Sequence, residues 1–232
     1  MYSRHMLEKV LVPAALAFAL TACDGRTPDT RTEFAESPTT IDTGRAAPNV
    51  GDVALQLVVA PTGNAARYRI REQLVRVALP NDAVGETSDV TGGIALDAAG
   101  NVVPAASKFT VDAAALKSDR DRRDNYVRSR ILETEQHPTV ELAPTAVRGL
   151  TVPLPTSGTK TLELLADLTV HGVTRPTTWS VDARFQGDTV RGSASTSFTF
   201  AEFGLPQPRV PIVLSVSDTI KLEYDFTLVP KR

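Results

Sequence analysis

From about Gly51 onward, apolar side chains recur at every second position and the runs are broken by turn residues, a period that strands satisfy and helices do not. Successive side chains of a strand point to opposite faces, so each run buries one face and wets the other. The clearest run sets Leu162, Leu164, Ala166, Leu168 and Val170 opposite Glu163, Asp167, Thr169 and His171. After a turn at Gly172, Thr177, Trp179, Val181, Ala183 and Phe185 alternate with Thr178, Ser180, Asp182 and Arg184. Gly187-Asp188 turns the chain again, and Val190, Gly192, Ala194, Thr196, Phe198 and Phe200 oppose Arg191, Ser193, Ser195, Ser197 and Thr199. Near the end, Leu222, Tyr224, Phe226 and Leu228 oppose Lys221, Glu223, Asp225 and Thr227. Upstream, Val53, Leu55, Leu57 and Val59 alternate, Pro61-Thr62-Gly63-Asn64 turns, and Tyr68 and Ile70 start a return strand, which reads as a hairpin.

Strands joined by short turns, each with one apolar face, specify an all-β antiparallel sheet curled around that face. About eight strands are expected, enough for closure into a barrel that leaves no exposed edge. A two-sheet sandwich presents the same alternation, so periodicity leaves both open.

Two places break the rhythm. Ser118 to Arg130 carries Asp119, Arg120, Asp121, Arg122, Arg123, Asp124, Arg128 and Arg130, and suits a short helix or capping loop with Ser118 or Asp119 as N-cap. Its mixed signs fit a self-paired surface better than an anion site. Glu72 shares its parity with Ile70 and Leu74, whereas Val75, Val77 and Leu79 take the other, so a bulge or register change is expected somewhere from Arg71 to Leu74. An inward Glu72 needs a cationic partner, for which Arg123 or Arg76 would serve.

The first 22 residues are built differently. Arg4 and Lys9 form a basic head, Val10 to Leu20 an apolar run, and Leu20-Thr21-Ala22-Cys23 a stretch of small residues before the only cysteine of the 232-residue chain. The run is shorter than the ~20 apolar residues a spanning helix needs. This is a signal-peptide layout, and its end resembles the bacterial lipobox, which implies lipid on Cys23. With one cysteine no intramolecular disulfide can form, so the exported domain relies on its core. Residues 24–49, rich in Thr, Pro, Asp, Arg and Gly, have no apolar period and read as a tether. Asp24 resembles an inner-membrane retention signal of some double-membrane bacteria. The expected organisation is signal peptide 1–22, tether 23–50 and barrel 51–232, held by lipid on a membrane of a bacterial envelope and facing the periplasm or exterior.

With 25 basic and 27 acidic residues, net charge −2, and no basic face interleaved with aromatics, no nucleic-acid partner is expected. Little points to an enzyme: His5 leaves with the signal, His137 and His171 lack metal-ligand spacing, no serine sits in a nucleophile elbow, and Cys23 is consumed by acylation. Asp167 and His171 share a strand face and could meet as an acid–base pair, although such pairs are more often surface salt bridges. No cofactor or metal is expected.

Four ordered motifs then carry a family resemblance. Arg123-Asp124-Asn125-Tyr126-Val127-Arg128-Ser129, His137-Pro138 running into a strand, Asp167-Leu168-Thr169-Val170-His171-Gly172-Val173-Thr174-Arg175-Pro176, and Phe203-Gly204-Leu205 resemble those of the YceI-like family. The resemblance implies an extended, lipocalin-like barrel of eight antiparallel strands, holding a long isoprenoid or similar amphiphile in an extracytoplasmic setting, without catalysis. The chain departs from the family where His-Leu often follows the Arg-Asp pair, having Tyr126 and Val127, and where Ser-Asp-Phe is common, having Ser129-Arg130-Ile131. Under this resemblance Arg123, Asp124, Tyr126 and His171 mark a pocket entrance.

The alternation itself supplies the expected ligand wall: Leu164, Leu168, Trp179, Val181, Phe185, Phe198, Phe200, Tyr224 and Phe226, faces without a charge. Such a lumen accepts hydrocarbon at ~25 cal/mol per Å² buried. The competing reading is that these side chains fill the interior themselves, leaving a scaffold or interaction domain. Gly192, Ala194, Ala166 and Ala183, small residues among large ones, favour open space.

Overall fold

A computed structural model describes residues 53–231. By contacts the chain divides into Met1–Gly44 and Arg45–Arg232, and every strand and the whole described core lie in the second unit. The described core is closed within that unit. The expected signal peptide, Cys23 and tether lie outside the described residues.

Ten strands form one antiparallel sheet: β1 (Leu55–Val59), β2 (Ala65–Leu74), β3 (Asn81–Thr87), β4 (Val90–Leu96), β5 (Lys108–Asp112), β6 (Thr139–Arg148), β7 (Ser157–Val170), β8 (Val173–Gln186), β9 (Thr189–Thr199) and β10 (Val213–Pro230). The sheet closes because β1 pairs with both β4 and β10. Although there are ten strands, the barrel has eight staves. β1 and β2 lie end to end along the same edge of β10, and their partners β4 and β3 continue one another in the same way. This is the closed, all-β, lipocalin-like barrel.

The expected hairpin between β1 and β2 is corrected by this pairing. The two strands run in the same direction against β10, so Pro61 to Asn64 forms a kink in one stave. Asn64 pins the kink: its side-chain oxygen accepts from the Thr227 N–H and the Tyr224 hydroxyl, each at 3.0 Å. A local turn signal cannot distinguish a reversal from a bend, because the deciding hydrogen bonds come from β10, about 160 residues away.

The alternation places the side chains as expected. β8 buries Trp179, Val181, Ala183 and Phe185, and β7 buries Leu162, Leu164, Ala166, Leu168 and Val170. Outside, Arg67, Arg69 and Arg71 on β2 pair across strands with Glu86 and Asp82 on β3 and with Asp225 and Glu223 on β10, which fixes register by charge. A register change does fall in the Arg71–Leu74 stretch, with the extra residues on the partner strand. β2 keeps its parity through Glu72 and Leu74, while β10 slips between Val213 and Ser215 and between Val216 and Ile220. Val75, Val77 and Leu79 belong to the exposed β2–β3 connection.

The charged insertion folds as α1 (Asp121–Tyr126) followed by a π-turn at Val127–Ile131. Neither Ser118 nor Asp119 is its N-cap. Arg120 occupies that position without a side-chain cap, because the Ser118 hydroxyl donates to Asp124 at 2.6 Å.

Chain direction sorts the connections into two ends. β1 starts and β10 finishes at the near end, with the 97–107, 149–156 and 187–188 connections. The far end gathers the 75–80 connection, the insertion between β5 and β6, the His171-Gly172 turn and residues 200–212.

Candidate functional site

The barrel encloses an apolar cavity of about 190 Å³. That exceeds the ~150 Å³ of an engineered apolar cavity that stays dry and binds benzene. Its wall takes Leu57 from β1, Tyr68 from β2, Phe109 from β5, Leu164 and Leu168 from β7, Trp179, Val181 and Phe185 from β8, and Tyr224 and Phe226 from β10. Every stave contributes, because each turns its apolar parity inward.

The polar atoms of this wall are largely occupied. Trp179 Nε1 donates to Thr177 Oγ1 at 3.0 Å, and the Tyr224 hydroxyl donates to Asn64. Arg67 and Glu223 border the cavity, but their charges are held by Asp225 and Lys221. Burial pushes the Tyr68 phenol up to about 12, with smaller opposing effects from Arg123 and Asp124, and raises that of Tyr224 further. Both phenols stay neutral at physiological pH, so the lumen presents carbon and uncharged hydroxyls.

Seven of the nine wall residues read from the sequence, Leu164, Leu168, Trp179, Val181, Phe185, Tyr224 and Phe226, line this cavity. Phe198 and Phe200 do not. Thr199 and Glu202 form a capping box that ends β9 and starts a 3₁₀ turn at Phe200–Phe203, which packs Phe203 against Phe198 at 4.4 Å between ring centres. These rings fill the far end of the barrel. Of the four small residues, Ala183 and Ala194 face the cavity, whereas Ala166 and Gly192 are not in its lining. A Cβ on Gly192 would approach the Asp182 carbonyl oxygen to 2.0 Å, so that glycine serves close strand contact.

Arg123, Asp124, Tyr126 and His171 stand at the far end, and none lines the cavity. The polar groups of Arg123, Asp124 and His171 are engaged with protein. Arg123 Nη2 meets Glu72 Oε1 at 2.6 Å and Nη1 bonds Asp119, with Glu72 and Arg123 both largely buried. Burial disfavours the Arg123 cation, but the two carboxylates outweigh it and raise its pKa above the ordinary value. Asp124, 5% exposed, accepts from the Ser118 N–H and hydroxyl. Tyr126 is half-buried against the core. His171 bonds Glu133 at 3.0 Å, not Asp167, and its ring meets His137 edge-on at 4.6 Å. A left-handed turn at His171 and Gly172 produces this contact, and a Cβ on Gly172 would approach the His137 ring to 2.9 Å. No metal-holding cluster of His, Cys, Asp or Glu occurs among the described residues.

Nothing in the alternation indicates where the lumen comes nearest the surface. Leu57, Leu96, Leu154, Phe185 and Val190 line both the cavity and an outer concavity at the near end, bordered by Ala54, Val152, Pro153 and Pro230. The thin wall is thus at the end opposite the charged motifs, beside the start of β1.

Comparison with known proteins agrees with this geometry. The model of the YceI-like domain matches residues 57–228, about three quarters of the chain. A UPF0312 protein of Pseudomonas putida (strain GB-1) is 31% identical over 133 residues, covering 53% of this chain and 64% of that protein; one from Pseudomonas syringae pv. syringae (strain B728a) is 27% identical over 157 residues, 64% and 74% respectively. The chain thus spans less than two thirds of the P. putida relative. Among solved structures, a polyisoprenoid binding domain from Saccharophagus degradans superposes with TM-score 0.56 at 13% identity, over 76% of this chain and 99% of that one. BcnA of Burkholderia cenocepacia gives 0.53 at 14%, over 71% and 95%. At such identities the superpositions show a shared fold. The barrel, its closure and the span of the family match together establish that this chain belongs to the YceI-like domain family.

Proposed function

We propose that the protein binds a long apolar ligand, an isoprenoid or a similar amphiphile, inside the barrel and carries or stores it in the bacterial envelope without chemical change. The observation that carries this reading is the lumen itself, an unfilled cavity of about 190 Å³ walled by aliphatic and aromatic carbon. Hydrocarbon moved there from water gains ~25 cal/mol per Å², or ~0.8 kcal/mol per methylene, without needing a polar contact. The fold shared with a polyisoprenoid binding domain supports the same ligand class.

Lipid on Cys23 supplies the membrane tie in this proposal. Its acyl chains hold the protein outside the cytoplasm, facing the periplasm or exterior. The chain enters the barrel at β1, the end where the lumen wall is thinnest. Native mass spectrometry of residues 45–232, followed by solvent extraction, tests the ligand. An apolar adduct, or one acquired from added geranylgeraniol, is expected; a bare barrel that refuses the alcohol would refute the carrier reading and leave a scaffold.

A further inference from the structure

The far end carries an apolar patch that the lumen does not use. Leu79 is 74% exposed, Leu214 66% and Ile212 55%, with Val75 and Val77 beside them. They are contiguous: the Val75 N–H donates to the Ile212 carbonyl at 2.9 Å, and Leu74 pairs with Val213 in the sheet. Contiguous exposed apolar surface of this kind marks an interaction site, whereas single exposed residues do not.

The charge pattern around it identifies the partner. The patch-forming segments, residues 73–80 and 204–216, contain only two charged side chains, Arg76 and Arg209, both exposed and neither in an ion pair among the described residues. Within these two segments the patch is thus apolar with a cationic fringe and no carboxylate, and the exposed Glu202 and Asp218 lie just beyond them. The backbone of the patch is only partly satisfied: Val75, Val77 and Val213 donate their N–H groups to Ile212, Leu74 and Val210, whereas those of Leu79 and Ile212 make no bond among the described residues. Unpaired N–H groups are penalised in hydrocarbon, so the loop backbone stays at the headgroup level and only side chains go deeper. A second copy fits poorly, since self-association would set guanidinium against guanidinium.

We propose that this tip docks into an anionic lipid surface, its leucine, isoleucine and valine side chains entering the acyl boundary while Arg76 and Arg209 meet headgroup phosphates. Arginine stems follow apolar surface and leave the charge at the interface. The tip is at the end opposite β1, so docking requires neither lipid on Cys23 nor a filled lumen.

The test is vesicle co-sedimentation of residues 45–232, which lack the apolar leader and Cys23, with unilamellar vesicles of equal parts phosphatidylglycerol and phosphatidylcholine or of phosphatidylcholine alone. Binding to the anionic vesicles is expected to weaken about fivefold for each of R76Q and R209Q, and about tenfold or more for the pair L79D/L214D. All these positions are exposed, and unchanged urea midpoints would confirm that the variants fold. In L79W, indole emission shifts to the blue when anionic vesicles are added. The proposal is overturned by absence of vesicle binding, by binding unaffected by these substitutions or by lipid charge, or by a concentration-dependent dimer that L79D dissolves.

Discussion

Substituting Ala194 with leucine asks whether the barrel interior is open. Ala194 is 6% exposed and lines the cavity on β9, opposite Val181 on β8 and Tyr224 on β10. An apolar void costs ~24 cal/mol per Å³ in lost packing, so an empty lumen of about 190 Å³ forgoes roughly 4 to 5 kcal/mol. Leucine adds three carbons, and at ~0.8 kcal/mol each their burial can return about 2 kcal/mol. Ala194→Leu should therefore leave the ligand-free domain as stable as before, or more stable by up to that amount, in urea unfolding. The same carbons occupy ligand space, so affinity for geranylgeraniol should fall about tenfold or more. Trp179, the only tryptophan, lines the lumen and reports the titration by its emission. In a filled core the sign reverses, because overpacking costs ~1 to 3 kcal/mol. A destabilised variant with unchanged affinity would refute the open-lumen reasoning.

The far-end ion pair makes a contrasting case: Arg123→Met leaves the Glu72 carboxylate buried without its cation and should cost ~3 to 5 kcal/mol in urea unfolding, whereas Arg148→Ala, removing an exposed pair with Glu163, should cost no more than ~1 kcal/mol. Alkaline stability should follow Tyr68. Its pKa is raised by burial from 10.0 to about 12, so the folded state favours the neutral phenol, and that stabilisation is complete below pH 10 and lost as pH rises toward about 12. Tyr68→Phe should flatten the decline of the urea midpoint across that interval; an unchanged slope would place the effect elsewhere. Cys23→Ser, expressed in a bacterial host and fractionated with a high-salt wash that also releases contacts made through Arg76 and Arg209, should move the protein out of the membrane pellet if lipid on that residue is the tie.

The motifs that carried the family resemblance proved informative about architecture more than about the ligand. The Arg123–Ser129 segment, His137, the His171-Gly172 turn and Phe203-Gly204-Leu205 all gather at the far end, where rings, an ion pair and a capping box lock the insertion and the 3₁₀ turn onto the barrel. The resemblance implies a pocket entrance at Arg123, Asp124, Tyr126 and His171. The structure engages the polar groups of Arg123, Asp124 and His171 within the protein, and the cavity wall consists of the monotonous apolar parity instead.

The sequence by itself determined the strand faces, the all-β class and most of the lumen wall, because period-two alternation is a local consequence of backbone geometry and survives any arrangement of the staves. It could not determine whether Pro61 to Asn64 reverses the chain or bends it, which strand slips beside Glu72, or which end of the barrel is thin. Those depend on hydrogen bonds and contacts between residues far apart in sequence, such as Asn64 with Thr227 and Leu57 with Phe185 across one lumen. Tertiary structure also decided what the small residues do: Ala194 opens space and Gly192 admits a neighbouring backbone, although both occupy the same parity of one strand. The difference lies in the groups around each position, since packing density around a side chain is a property of its neighbours, not of its own place in the chain.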